Sequence, residues 1–417
     1  MADRQETENV MIPQNRVDLA RKLTLPLLVL YGLGVTIGAG IYVLVGATAA
    51  EAGIYAPISF LIAAVVVAFT GFSYAELSTR HPVSAGAAAY VHASFKSPGL
   101  TLTVGLLVAA SGVVSSAAVS LGAAAYIGDI IALPPTLLAA AVILIIGAIA
   151  AWGIVESVTV AAIFTLIEIG GLGLVIYYGI NADPAIISNS LQLLPPLELS
   201  VWGGIMSASL LAFFAFVGFE DIANVAEEVV EPHKTLPRGI ILTLLITTIL
   251  YFLVVSVVIL VVPMAELAGS AAPLAFVFEN AGTATSGIFH MISIIATTNG
   301  VLIQIIMASR VIYGLAKQQN LPAFLAVVHP VTRTPLVATG IITALVLMFA
   351  TLLPIAQLAE ATSSIVLIIF CLVNLALIRL KKTEPAPSDS VFVVPFWVPV
   401  GGLLLSITLL ITGFLAI

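Results

Sequence analysis

The sequence predicts an all-α, polytopic membrane protein of about eleven transmembrane helices, and three observations predict it. Of 417 residues, 61% are hydrophobic and 8% are charged, against about 25% charged in a soluble domain. A soluble chain this apolar would lack the polar surface to cover itself. In lipid the backbone must bond to itself, so only helices or a closed barrel can span. The second observation decides between them. A barrel needs roughly ten-residue alternating strands, whereas this chain has unbroken apolar runs such as 240–262. The third is that the basic residues sort to one side once the spans are counted.

A span needs about 20 mainly apolar residues. Eleven segments qualify, at 25–50, 55–78, 98–128, 134–152, 157–179, 200–226, 238–263, 285–316, 335–353, 356–380 and 393–416. The first carries Gly32, Gly34, Gly38 and Gly40, and the second ends at Ser73-Tyr74-Ala75-Glu76-Leu77. Pro134-Pro135 opens the fourth, and the fifth holds Glu168 near its middle. Pro195-Pro196 precedes the sixth, which contains Glu220-Asp221, and Pro237 precedes the seventh. The eighth carries the polar run Thr297-Thr298-Asn299, and Pro354 separates the ninth from the tenth. Pro and Gly mark such junctions because neither continues a helix well.

Positive residues collect in cytoplasmic loops. With residues 1–22 read as a cytoplasmic tail and each span switching sides, all fourteen Lys and Arg fall at the cytoplasmic face. The outer loops then hold only acids: Glu51, Asp129, Asp183, Glu198, Glu266 and Glu279. This sorting predicts an external C-terminus. The tail lacks the layout of a cleaved signal peptide, so the first helix is the expected targeting signal, with the cell membrane as destination. The lone Cys371 excludes an internal disulfide framework and reads as a small packing residue.

Two spans differ from the rest. Four glycines in 32–40 cost about 1 kcal/mol each against alanine in a helix. In the sixth span, Phe213-Phe214-Ala215-Phe216-Val217-Gly218-Phe219 runs into two adjacent carboxylates. Both read as discontinuous helices, tolerated at membrane depth only where they are buried in protein or line a cavity. Lying first and sixth, they begin two halves of five spans each, at 23–180 and 200–382, with a further span in 391–417. An odd number of spans per half forces opposite topology. Interrupted segments at matching positions of inverted halves point to a transporter's binding site.

Four motifs together resemble the amino acid–polyamine–organocation superfamily. They are Ile37-Gly38-Ala39-Gly40-Ile41; Ser73-Tyr74-Ala75-Glu76-Leu77 followed by Pro82-Val83-Ser84-Ala85-Gly86 and Tyr90; Phe214-Ala215-Phe216-Val217-Gly218-Phe219-Glu220 followed by Glu227-Glu228-Val229 and Pro232; and Ser309-Arg310-Val311-Ile312-Tyr313-Gly314-Leu315-Ala316. The resemblance covers about 23–382. It implies a LeuT-type fold of two inverted five-helix repeats and secondary transport of amino acids driven by an ion gradient or by exchange. Members usually have twelve spans, so this chain looks one helix short, outside the repeats.

Freed N–H groups and a positive dipole end at a broken helix favour an anion, and a substrate carboxylate fits. The resemblance places it at Ile37, Gly38, Ala39, Gly40 and Ile41, with Thr36 at the edge. The competing reading is a glycine face for close helix packing. Carbonyls freed around Phe214, Ala215 and Val217 are the expected acceptors for a substrate ammonium group, and Phe216 the expected aromatic lid. No charged side chain lies within 213–217, which predicts neutral substrates; cationic amino acids or polyamines are the alternative. Glu220 and Asp221 are expected to cap the freed N–H groups that follow. Glu227, Glu228 and Glu231 read as a solvated face or an inner gate with Lys234 and Arg238.

An ionised side chain at the middle of a membrane helix costs roughly 2.5–3.5 kcal/mol on insertion scales, which makes Glu168 a functional candidate. Proton-coupled relatives often carry a lysine near here, where sodium-coupled ones hold an ion. A glutamate suits a proton or sodium; the competing reading is a permanently protonated acid bonded to a freed carbonyl. Thr297, Thr298 and Asn299 either line the pathway or bond neighbouring helices. His290 reads as a satisfied packing histidine.

His81, His92, His233 and His329 show no metal-ligand spacing, and no GxxxxGK[ST], nucleophile elbow or HExxH is present. The sequence therefore implies neither metal nor cofactor, and not an enzyme. No nucleic-acid partner is expected. A channel would call for rings of charge or carbonyl filters. The expected partners are an amino acid, the bilayer and, with Glu168, protons.

Overall fold

The computed structural model describes residues 23–83, 86–152, 158–182, 186–270, 272–280, 286–317, 319–330, 332, 334–384 and 391–416. The 1–22 tail with its four basic residues, Ser84-Ala85, Asp183 and Arg333 lie outside them.

Among the described residues the chain is helical, apart from one isolated parallel bridge between Leu23 and Val229. The first predicted span is two helices, α1 (Leu25–Thr36) and α2 (Ala39–Ala52). Then follow α3 (Ala56–Arg80), α4 (Gly86–Phe95), α5 (Pro98–Gly128), α6 (Pro135–Trp152) and α7 (Val158–Ala182). A short α8 (Ile186–Asn189) leads to the sixth predicted span. That span is α9 (Leu199–Phe214), a turn at 215–218 and a 3-10 helix over Phe219–Glu228. The chain continues as α10 (Pro232–Val261), the short α11 (Met264–Leu267) and α12 (Ala275–Asn280), α13 (Ser286–Lys317), α14 (Leu336–Leu352), α15 (Ile355–Thr383) and α16 (Trp397–Ala416).

Seven helical stretches are long and apolar enough to cross a membrane, and four apolar helices are shorter. One of the seven, Gly40–Arg80, runs through α2 and α3 together. Helix occupies each of the eleven segments nominated from sequence. Large apolar side chains on the perimeter, such as Leu144, Ile145, Ile163 and Leu245, are exposed. A lipid solvent explains them, since monomeric soluble proteins rarely expose apolar patches of that extent. This is an integral membrane protein.

The seventh span begins earlier than expected: α10 starts at Pro232 and carries Pro237 inside it. So near the helix start, a proline removes a single intrahelical bond, which the chain tolerates. Prolines otherwise stand where expected, at the first turns of α3, α5 and α10.

The half-helices pack crosswise. α2 lies along α9, and α1 lies along the 219–228 segment and α10. The Leu23 N–H donates to Glu228 O at 3.0 Å and the Val230 N–H to Leu23 O at 2.9 Å, tying the start of the first broken helix to the end of the sixth. α5 runs beside α13, forming the wall that faces the two breaks.

Three buried polar clusters stitch the bundle. Asn374 on α15 donates to Thr70 Oγ1 at 2.9 Å and accepts from Ser73 Oγ at 2.6 Å. His290, predicted to be a satisfied packing histidine, pairs with Asp129 at 2.9 Å. Glu76, wholly buried, meets Arg80 at 2.8 Å and Lys381 at 2.7 Å and accepts the Val394 N–H at 2.8 Å. That cluster joins α3, α15 and the segment leading into α16.

Candidate functional site

The first break is narrower than the sequence suggests. Only Ile37 and Gly38 leave the helix, while Thr36 closes α1 and Ala39 opens α2. The sixth span breaks at Ala215–Gly218, where Gly218 takes φ +122°, a region that side chains other than glycine's rarely enter. Its Cα also abuts Val35, so a Cβ there would approach Val35 O to 2.8 Å. A Cβ on Gly40 would fall on the Cα of Ala215. The two breaks therefore touch backbone to backbone, and Gly40 is what permits it. Gly38 is different, since the nearest atoms to a Cβ there are Val35 O at 3.9 Å and Gly300 Cα at 4.0 Å. A Cβ there would fit in ordinary van der Waals contact, at the edge of a small space.

That space is a cavity of about 30 Å3 lined by Val35, Thr36, Gly38 and Gly40 from the first break, Phe214 and Val217 from the sixth, and Ser115, Val119, Gly300, Ile303 and Gln304 from α5 and α13. Of the residues expected to hold substrate, Thr36, Gly38, Gly40, Phe214 and Val217 line it. Ile37, Ile41 and Ala215 are buried behind it. Phe216, the expected lid, is turned away and packs edge-on against Tyr251 at 5.1 Å; Phe214 is the aromatic ring at the cavity.

Tyr251 on α10 carries a role the sequence does not reveal. Its hydroxyl lies 2.7 Å from Thr36 O and 2.8 Å from Ala215 O, one carbonyl from each break. A single buried phenol thus shares its one proton between two carbonyls at the ends of broken helices, where intrahelical partners run out. Gln304 and Ser115 also escape sequence reading. Gln304 stands out only as a lone carboxamide in the apolar lower half of α13, and Ser115 is hidden among small packing residues.

Glu168 is wholly buried one helix layer away. Its Oε1 accepts from Asn299 Nδ2 at 3.2 Å, and its backbone O accepts from the Tyr42 hydroxyl at 2.7 Å. Oε2 has no hydrogen-bond partner among the described residues. One turn earlier, Thr165 packs on Gly34 of α1. Glu168 therefore sits where α1, α2, α7 and α13 converge. Thr297 and Thr298 donate back to carbonyls of their own helix at 2.6–3.2 Å and line neither cavity; only Asn299 of that trio turns to a functional candidate.

Below the breaks opens a vestibule of about 850 Å3. Val217 and Gln304 line both cavities and stand between them. Its walls carry Glu220, Asp221 and Glu228 on one side and His92 and Arg310 on the other. Glu220 Oε2 accepts the Gly218 N–H at 2.9 Å, a donor that precedes it in the turn rather than one of the N–H groups that follow. Asp221 accepts from Asn224 at 3.2 Å. Glu231 pairs with Lys234 at 3.3 Å in solvent. Among the described residues no group of three His, Cys, Asp or Glu is placed to hold a metal ion.

A helical membrane protein whose two broken spans touch at a small cavity belongs by architecture with the solute carriers rather than with enzymes or nucleic-acid binders. The profile of the amino acid permease family matches residues 23–417, and the chain belongs to that family, within the amino acid–polyamine–organocation superfamily. It is 31% identical to a branched-chain amino acid permease of Bacillus subtilis over 86% of this chain and 80% of the relative. It is 31% identical to the vacuolar cationic amino acid transporter 4 of Arabidopsis thaliana over 88% of this chain and 64% of the relative. A methylthioribose transporter of Bacillus subtilis is 32% identical over 92% and 85%.

Proposed function

We propose that the chain carries neutral amino acids by alternating access, with substrate held between the two breaks when the cavity there, which now has room for about two waters, widens. The observation behind this reading is the backbone contact of Gly40 with Ala215 beside an uncrowded Gly38. It brings the N–H groups that open α2 and the last carbonyls of α9 to one small space; Phe213 O and Phe214 O each accept a backbone N–H of the turn, from Phe216 at 3.0 Å and Val217 at 3.1 Å, which leaves a second lone pair on each. The N–H groups suit a carboxylate, and the carbonyls around Phe214 suit an ammonium group. Val35, Val119, Phe214, Val217 and Ile303 offer an apolar side-chain pocket, with Gln304 as its one amide. The similarity to a branched-chain amino acid permease supports the same choice.

Transport is proton-coupled or by exchange, with Glu168 as the coupling group. In this reading the two halves, 23–180 and 200–382, are inverted repeats, the N-terminus lies in the cytoplasm of a cell-membrane protein, and 391–417 holds an added span. The vestibule, at the end of the bundle that carries Arg80, Arg310 and Lys381, is then the path to the cytoplasm.

Uptake of a labelled amino-acid panel into proteoliposomes tests this, with sodium and pH gradients imposed separately. Saturable uptake and counterflow of leucine, isoleucine or valine are expected. Flux that neither saturates nor shows counterflow would overturn carrier function. A second reading, a cationic amino acid carrier, is favoured by Glu220 and Asp221 on the vestibule wall; the panel decides for it if lysine and arginine are taken up and leucine is not.

A further inference from the structure

The vestibule wall holds two polar atoms that the fold leaves unanswered. Asp221 is 3% exposed, spends Oδ1 on Asn224 and has no partner for Oδ2 among the described residues. Tyr74 is 1% exposed and its hydroxyl has no partner either. Both residues line the same cavity. The Tyr74 ring packs edge-on against Phe219 at 5.7 Å, two residues before Asp221, so both residues belong to one stretch of the vestibule wall. A buried polar atom without a partner costs roughly 1–3 kcal/mol, more when charged, and native structures keep few of them.

Neither orphan is needed for the break itself. The cap on the turn at 215–218 is supplied by Glu220, and the stitching of freed carbonyls by Tyr251. This stretch of wall does not line the substrate cavity, which shares Val217 and Gln304 with the vestibule. It offers a carboxylate oxygen and a phenol oxygen, and its aromatic ring faces Tyr90, Phe219 and Phe370 at 5.7–5.9 Å. A carboxylate and a hydroxyl are acceptors for a donor that carries positive charge and several N–H groups, which describes an ammonium.

We propose that Asp221 and Tyr74 form a second binding site, in the vestibule, for a protonated primary amine. The proposal rests on the transport reading only for the existence of a substrate path. The amine is either the ammonium group of the amino acid leaving the central cavity or that of a separate free amine. The recognition is the same in both: Asp221 Oδ2 accepts one N–H in a charge-assisted bond, and the Tyr74 oxygen accepts another.

The test uses n-propylammonium, which lacks the carboxylate that the first break is proposed to hold. Its affinity for the purified full chain is read from the rise in Tm followed by intrinsic fluorescence, with tetramethylammonium and sodium as controls. Tetramethylammonium carries the charge without an N–H. Stabilisation by n-propylammonium alone is expected, with about tenfold weaker affinity in Asp221→Asn and about threefold weaker in Tyr74→Phe. Asparagine keeps an oxygen for Asn224, and phenylalanine keeps the ring packing, so at least one variant folds. Equal stabilisation by sodium or tetramethylammonium, or unchanged affinity in the folded variants, would overturn the site. The readout needs no transport, so it stands or fails apart from the uptake assay. Where leucine exchange is measurable, slower exchange by Asp221→Asn at unchanged central affinity identifies the substrate's own ammonium group as the occupant. Unchanged exchange with lost n-propylammonium binding identifies a separate amine.

Discussion

At the scale of single residues, the site separates glycines that look alike in sequence. Gly38 and Gly40 belong to one motif, yet only Gly40 is pressed on Ala215. Gly38→Ala is therefore expected to fold normally and to place its methyl in the cavity, raising the substrate Kd severalfold by volume alone. Gly40→Leu must part α2 from the turn at Ala215, so substrate binding is lost while far-UV circular dichroism stays helical. Normal uptake by a well-expressed Gly40→Leu protein would remove the break from the site. Tyr251 invites a second comparison. Tyr251→Phe keeps the ring against Phe216 and Phe60 but strips the hydroxyl from two carbonyls. With roughly 1–3 kcal/mol for an orphaned buried group, about a tenfold loss of substrate affinity is expected from the relaxed breaks. Equal affinity in equilibrium binding would show that the carbonyls find other partners.

At the scale of elements, the helices were legible and several of their partners were not. A glycine-rich stretch and a carboxylate pair stand out in an apolar sequence because both are expensive in a membrane helix, so the breaks in the first and sixth spans could be read directly. Glu168 was legible for the same reason. Tyr251 was not, because a tyrosine in an apolar run looks like any aromatic, and its contacts lie 36 and 215 residues away in the chain. Phe214 and Phe216 could not be told apart either, since residues two apart point different ways in helix or turn and only the packing shows which ring lines the cavity. Glu76 shows how an element is held. It is the shared acceptor of α3, α15 and the approach to α16, with Arg80, Lys381 and the Val394 N–H all on one carboxylate. Lys381→Met leaves a buried carboxylate with less compensation, and removing one partner of a buried pair costs about 3–5 kcal/mol. A drop in Tm is expected, partly restored by adding Glu76→Gln. A double mutant no more stable than Lys381→Met would mean that the lysine acts through Val394 O alone, to which it donates at 2.6 Å.

At the scale of the whole molecule, the predicted topology and the coupling mechanism meet at Glu168. The sorting of basic residues predicts that cysteines added at the two termini label from opposite sides of the membrane; labelling from one side would break the eleven-span count and, with it, the inverted halves. Coupling asks for more than topology. A gradient drives substrate only if protonation and substrate binding favour the same conformational states. The proposed coupling role of Glu168 rests on its contact with two elements, α2 through Tyr42 and α13 through Asn299. One carboxyl oxygen is held by Asn299 and the other is left open, an arrangement that a proton completes and that rearrangement of α1 and α2 would disturb. Glu168→Gln keeps the shape and an oxygen for Asn299 but releases no proton. It is expected to retain substrate binding and exchange, with affinity within about threefold of wild type, and to lose accumulation driven by an imposed pH gradient. Glu168→Ala should also lose affinity, because it strips the bond to Asn299. The comparison is made in proteoliposomes, wild type beside Glu168→Gln, first with equal pH across the membrane and then with the gradient. If both proteins accumulate substrate equally under the gradient, Glu168 is a structural hydrogen-bonding group and the driving ion is bound elsewhere. If Glu168→Gln loses exchange as well, the residue holds the breaks in place, and the assignment of coupling to it fails for a different reason.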